Sequence, residues 1–210
     1  MEFMTDPMGI ETRSMEIIAP YLKNLNLNEE ATKVYSRMIH AAGDVEYSSV
    51  IRIHPQAIEM AKNALKKGCN IYTDVEMVRT GINKKKLASF GGMVECLIAS
   101  PEVAKIAKTE GITRSMAAMR QFGEKLDGAI VAIGNAPTAL YEVLHLMETT
   151  SIRPAVIIGI PVGFVGAAES KEQLMKRSLV PYITVAGTKG GSPIAVSVVN
   201  AIMYVLDNKR

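Results

Sequence analysis

The segment Ala129-Ile130-Val131-Ala132-Ile133-Gly134-Asn135-Ala136-Pro137-Thr138-Ala139-Leu140 decides the fold class. Its first five residues are apolar on both parities. A strand covered by helices on both faces requires this, whereas a strand with one wet face alternates. Gly134 and Asn135 then break the run. Pro137 suits the first turn of a helix, where its missing N–H is not needed. The same both-sided apolar character marks Ala155–Ile160 and Tyr182–Ala186, and Asn70–Thr73 and Met93–Ala99 complete five strand candidates. The intervening segments Pro101–Lys108, Ser115–Lys125, Pro137–Glu148 and Ala167–Arg177 are each long enough for a crossover helix, and Pro193–Leu206 reads as a last, strongly apolar one. Such alternation predicts an α/β fold with a parallel, doubly covered sheet of about five strands.

Upstream, Asn28 is placed to cap a helix whose Ala31, Val34, Tyr35, Met38 and Ile39 share one face and which stops at Gly43. A second helix is expected from Pro55, with Ala57, Ile58, Ala61 and Leu65 inward and Gly68 as its stop. Residues 1–50 therefore read as a helical extension packed on the sheet, and residues 1–210 as one domain. The Lys84-Lys85-Lys86 run reads as a solvated turn.

Composition narrows the function classes. Hydrophobic residues are 48% of the 210, enough for a sizeable core, so bulk disorder is excluded. Twenty-four basic against 21 acidic residues give +3, too even for a nucleic-acid footprint, and aromatics are only 5% with no Trp. Cys69 and Cys96 have neither disulfide-scaffold nor zinc-site spacing and read as thiols of a reducing compartment. The acidic N-terminus has no apolar core, so no signal peptide is expected. The longest apolar stretch, Pro154–Ala168, is broken by Gly and Pro and falls short of the roughly 18 residues of a membrane span. The expectation is a cytoplasmic protein with no membrane and no nucleic-acid partner.

In open parallel sheets ligands bind at the carboxyl ends of the strands. Here those ends lead into Thr73–Arg79, Gly134–Thr138, Gly159–Ser170 and Gly187–Pro193. The last three are Gly-rich and feed helix N-termini, where free N–H groups favour anions, so together they point to a large polyanionic ligand. Gly159–Gly166 is not a dinucleotide fingerprint and the Gly187 loop lacks the P-loop order, which disfavours a nucleotide enzyme. Among the histidines, His145 lies mid-helix among apolar residues and His54 precedes Pro55 at a turn. His40 ends a helix, where the dipole favours imidazolium, and Ala41, Ala42 and Gly43 leave room for a bulky ligand. No Ser–His–Asp or metal-ligand spacing accompanies it.

Nearly end to end, the chain resembles the precorrin-8 methylmutases (precorrin isomerases and their cobalt-precorrin-8 counterparts) of cobalamin biosynthesis. The resemblance is carried by Ile10–Ser14 with Ile17-Ile18, Arg37–Ala41, Thr73–Val78, Thr113–Ser115, Ala132–Leu140 and above all Pro161–Lys171, with Ser192 closing the Gly190-Gly191 turn. It implies a tetrapyrrole substrate, precorrin-8 or cobalt-precorrin-8, ringed with acidic side chains. The implied reaction moves a methyl group from ring carbon 11 to ring carbon 12, giving hydrogenobyrinate or cobyrinate, with no added cofactor and no metal site.

Matched residue by residue, the family's catalytic histidine falls on His40, expected to protonate or hydrogen-bond a ring nitrogen near the migrating methyl. The resemblance places substrate contacts at Ser14, with Arg13 beside it, and at Arg114 and Ser115. Asn135, Gly163, Val165, Lys189, Gly190 and Ser192 are the further expected contacts. Asp74 and Glu76 are expected to hold an arginine or an amide in place. Members often carry Arg where this chain has Ala186 and Thr188, leaving Lys189 the cation there, and Asp where it has Ser100. A homodimer is implied as well. The alternative reading is a corrinoid carrier that binds the macrocycle without chemistry.

Overall fold

The computed structural model describes residues 3–177 and 179–207. Two helices, α1 (Pro7–Leu22) and α2 (Glu29–Ala42), lead through a 3-10 turn (Val45–Ser49) to strand β1 (Ile51–Ile53). There follow α3 (Ala57–Lys66), β2 (Ile71–Thr73), α4 (Glu76–Gly81), α5 (Lys84–Ser89) and β3 (Val94–Cys96). Next come α6 (Pro101–Glu110), α7 (Arg114–Phe122), β4 (Ile130–Ile133), α8 (Pro137–Thr149) and β5 (Val156–Gly159). The chain continues through α9 (Ala167–Arg177), β6 (Tyr182–Val185) and α10 (Ser192–Asp207). No helix among the described residues is long and apolar enough to cross a membrane.

The sheet order is β1-β6-β5-β4-β2-β3. Strands β2 to β6 run parallel to one another, as the both-sided apolar runs predict. In β4, Ile130 and Ala132 enter a core shared with α1, α2, α3 and α10, while Val131 and Ile133 enter a second core with α7, α8 and α9. The count is six strands rather than five. The extra one, β1, is antiparallel, setting Ile51 opposite Val185 and Ile53 opposite Ile183 at the sheet's edge.

Two local expectations change. Helix α3 begins at Ala57, because His54 to Gln56 form a turn closed by the Ala57 amide on the His54 carbonyl, 2.9 Å. The lysine run forms the first turn of α5, with Lys84 and Lys85 solvated as expected and Lys86 not: Asn83 caps the helix, and Lys86 reaches the Asp207 carboxylate with its ammonium over the Phe90 and Tyr204 rings. In α2 the Asn28 side chain accepts from the Ala31 amide at 2.8 Å and Gly43 stops the helix at φ 63°, as read from sequence.

Candidate active site

The strand order reverses between β2 and β4, and such a switch point opens a crevice at the carboxyl edge. Here the crevice is filled from within. Asp74, which follows β2, is fully buried, and its carboxylate accepts the amides of Gly134, Asn135 and Ala136 at 3.0, 2.9 and 2.7 Å. Burial pushes this carboxyl upward, opposed by the three amides. Gly134 must be glycine, since a Cβ would lie 2.7 Å from the Ser192 Cα where α10 begins. The amides that the Gly134 loop was expected to offer an outside anion are therefore engaged, and only the exposed side chain of Asn135 faces out.

The open space lies further along the same edge. The Ala186 amide bonds the Val50 carbonyl, which brings the 3-10 turn and the end of α2 beside the β6–α10 loop. His40 is exposed there and borders two cavities. One, of about 260 Å³, is shared with Ser14, Ile17, Ile39, Gly43 and Asp44. The other, of about 360 Å³, is shared with Glu11, Arg37, Pro193, Ser197 and Asn200. Next to them a third, of about 380 Å³, is lined by Ala41, Ala42, Asp44, Tyr47, Val162, Lys189 and Gly190. A larger cavity, about 1110 Å³ between α1, α2 and the end of α10, is lined by Glu11 and Arg37 but by none of the expected catalytic or substrate-binding residues. His54 bonds the Tyr182 carbonyl through its amide at the opposite edge of the sheet, and His145 is exposed late in α8.

Two Gly-rich loops are laced over the third cavity. The Gly163 amide donates to the Thr188 carbonyl at 3.2 Å and the Gly191 amide to the Ile160 carbonyl at 2.9 Å. The fully buried Lys171 donates from Nζ to the Lys189 carbonyl at 2.5 Å. Gly190 passes so close to the other loop that a Cβ would lie 2.5 Å from the Pro161 carbonyl oxygen. The Lys189 side chain reaches the other way, to Asp44 Oδ2 at 2.7 Å, and this ammonium with the Glu46 amide holds Asp44 below the usual carboxylate range.

The structure thus gathers His40, Ser14, Lys189 and Gly190 around three neighbouring cavities, with Ser192 beginning the helix behind them. Arg13 is turned to Glu16 and solvent, at 2.9 Å. Glu76 pairs with Arg79 at 2.6 Å, which keeps its carboxyl low. Arg114, Ser115, Asn135 and Val165 line none of these cavities; Arg114 and Ser115 begin α7, whose start is joined to that of α8 where Thr113 Oγ1 meets Thr138 Oγ1 at 2.9 Å. Ser115 is buried, whereas Val165 and Phe164 stand out at the loop tip.

Arg114 is distinct among the described arginines. Arg13, Arg37, Arg79, Arg120 and Arg177 pair with glutamates, and Arg52 and Arg153 bond backbone carbonyls. Arg114 has neither kind of contact among the described residues. Among the described residues no cluster of three or more His, Cys, Asp or Glu is arranged to hold a metal.

Sequence reading missed Asp44, Tyr47 and Lys171. Asp44 and Tyr47 directly follow the stop at Gly43, and Lys171 ends the Pro161–Lys171 block. Their positions were in view, but their contacts were not.

A histidine among small side chains at the carboxyl edge of a doubly covered, mainly parallel sheet defines an α/β enzyme built on that edge. The family model described as precorrin-8X methylmutase matches residues 9–205, and the chain belongs to that family of isomerases. It is 40% identical over 209 residues to the cobalt-precorrin-8 methylmutase of Leptospira interrogans, covering 96% of this chain and 94% of that protein. It is 39% identical over 202 residues to the precorrin-8X methylmutase of a Sinorhizobium species, covering 96% of each. A crystal structure of precorrin-8X methylmutase from Thermus thermophilus superposes with TM-score 0.85 at 36% identity, covering 95% of this chain and 98% of that one.

Proposed function

We propose that the protein moves a methyl group from ring carbon 11 to ring carbon 12 of precorrin-8 or cobalt-precorrin-8, with His40 as the acid. The observation that carries the role is positional. Of the three histidines, His40 is the one at the carboxyl edge, bordering two cavities at the end of α2. A proton given to, or shared with, a ring nitrogen makes the macrocycle more electron-deficient and lowers the barrier to methyl migration. A positioned acid contributes about 10²–10⁴-fold.

The substrate's acidic arms need donors spread over the edge. Lys189, Gly190 and Ser192 supply them near His40, together with the Ser14 hydroxyl once it turns from the Ile10 carbonyl, and Arg114, Asn135 and Val165 do so further along, while the Gly163 amide is held by the Thr188 carbonyl. Arg114 takes a carboxylate without giving up another partner, and its planar fork suits two parallel hydrogen bonds. Asp74 serves indirectly, by fixing the backbone that presents Asn135. Holding a rigid macrocycle at many points keeps it in reactive geometry. The two relatives above, at 40% and 39% identity, have names that differ in cobalt, so either form of the substrate fits the reading. We also assign a homodimer as the working form.

The test is to incubate the protein with precorrin-8, with and without cobalt, and follow the visible spectrum beside a competent control enzyme. The expected outcome is conversion by the wild type and a loss of at least about 10²-fold in kcat for His40→Ala with product still bound. No conversion of either form refutes the methylmutase reading. Wild-type rates in His40→Ala refute the acid role alone.

A further inference from the structure

Tyr47 lies in the 3-10 turn after Asp44, is 3% exposed, and lines the 380 Å³ cavity. Its hydroxyl is enclosed and has no hydrogen-bond partner among the described residues. Buried hydroxyls are nearly always paired, because leaving one unpaired forfeits its hydration with no return. Here the residue lines the cavity while its hydroxyl is enclosed, so a group that arrives and displaces the wall finds a donor with no partner to give up.

The neighbours define that group. Lys189 Nζ stands 5.8 Å from the centre of the Tyr47 ring and 2.7 Å from Asp44 Oδ2. Tyr47, with a hydroxyl left to donate, and the Lys189 ammonium border one cavity, and that pairing selects an acceptor with negative charge. Burial, and the Asp44 charge beside it, push the Tyr47 hydroxyl up to about 12, so it keeps its proton and remains a donor at neutral pH. Asp44 does not need Lys189 to stay in place. It also accepts the Glu46 amide at 2.9 Å and is a third open to water.

We propose that Tyr47 and Lys189 form a carboxylate subsite, in which one acid arm of the substrate accepts the Tyr47 hydroxyl and draws the Lys189 ammonium away from Asp44. The subsite rests on the polyacid substrate proposed above and extends it to a residue with no other assigned role. Lys189 is held in reserve by Asp44 and changes carboxylates on binding, while the Gly190 and Gly191 backbone behind it stays anchored by Lys171 and Ile160.

Tyr47→Phe removes one oxygen and leaves the ring. The measurements are thermal melting of the free protein, titration with the corrin product hydrogenobyrinate by visible absorbance, and steady-state turnover of precorrin-8. The subsite predicts a Tm unchanged or raised, product binding weakened about tenfold or more, and the loss falling on KM rather than kcat. Asp44→Asn, which keeps the Glu46 contact but releases Lys189, is expected to tighten product binding severalfold. Tyr47→Phe with a clearly lowered Tm means the hydroxyl is already satisfied and overturns the proposal. Unchanged product binding in Tyr47→Phe, or weakened binding in Asp44→Asn, overturns it as well. These outcomes leave the methylmutase reading standing. A wild type that binds product but converts nothing refutes that reading while the Tyr47→Phe binding ratio still judges the subsite. A wild type that does neither refutes both.

Discussion

Replacing Asp74 by Asn tests whether a buried carboxylate fixes the carboxyl edge. The two side chains have nearly the same shape, so the change isolates charge and hydrogen-bonding capacity. Asp74 Oδ1 accepts the Gly134 amide and Oδ2 accepts those of Asn135 and Ala136. An asparagine does best with its oxygen in the Oδ2 position, keeping two bonds but turning its NH₂ against the Gly134 N–H. The lost bond to a charged acceptor is worth about 2 kcal/mol, and the two that remain each weaken by about 1 kcal/mol once the acceptor is neutral. The neutral amide is easier to bury than a carboxylate, which returns roughly 1–2 kcal/mol. The expected net loss is about 2–3 kcal/mol, measured by urea denaturation of both proteins at pH 7. Asp74→Ala, which leaves all three amides unpaired, is expected to lose more. Turnover should fall with stability, because the same amides place Asn135. An Asn variant as stable as the wild type refutes the reasoning: the native carboxyl would then already be neutral, as its burial favours, and the amides would not require a charge.

Two further outcomes follow from charge and burial. Lys171 has its proton-binding pushed down to about 8 by burial, from an ordinary 10.5. Below about pH 8 both native and unfolded chains hold the proton and the burial cost is fully present. Between about 8 and 10.5 the unfolded chain binds more protons, so stability rises with pH, by about 3 kcal/mol in all. Lys171→Met should lack that rise. Parallel stability profiles of the two proteins from pH 7 to 10.5 would refute the assignment. Arg114→Ala should leave stability within about 0.5 kcal/mol, because the guanidinium has no contact to lose. It should weaken product binding about tenfold or more through a lost carboxylate contact. A destabilised variant with normal product affinity would sink the clamp.

The fold was legible where each residue's fate depends on its own stretch of chain. In β4 and β5, burial on both faces makes every position apolar, so the strands announce themselves without knowledge of their neighbours. Asn28 and Gly43 were legible because caps act within one turn. Strand β1 was not: Ile51-Arg52-Ile53 is too short to show a period, and its pairing with β6 is tertiary. The same limit hid α5, whose Lys86 gains its setting from Tyr204 and Asp207, more than a hundred residues on. At the site, His40 carried a local signal in the small residues after it. Asp74 could be suspected only of holding something, since the amides it binds are 60 to 62 residues away. Tyr47 gave no signal at all, because an unpaired hydroxyl is a property of surroundings and not of sequence.

Net charge was the least informative quantity, and the ion pairs explain why. A balance of +3 averages over cations in very different settings, nine of which pair with carboxylates among the described residues. Seven described arginines already hold a glutamate or a carbonyl, so they attract an outside anion weakly whatever their number. Two cations on the carboxyl edge differ in kind. Arg114 has no partner among the described residues, and a carboxylate reaching it gains the whole interaction. Lys189 is held by Asp44, and an arriving carboxylate gains only the difference between two similar partners. Its contribution to affinity is therefore small until the Tyr47 hydroxyl is added, since that donor has nothing to leave. On this reasoning affinity for the acid arms comes mainly from Arg114 and Tyr47, and Lys189 supplies selectivity: the exchange with Asp44 succeeds only for a carboxylate placed where the Tyr47 hydroxyl can hold it.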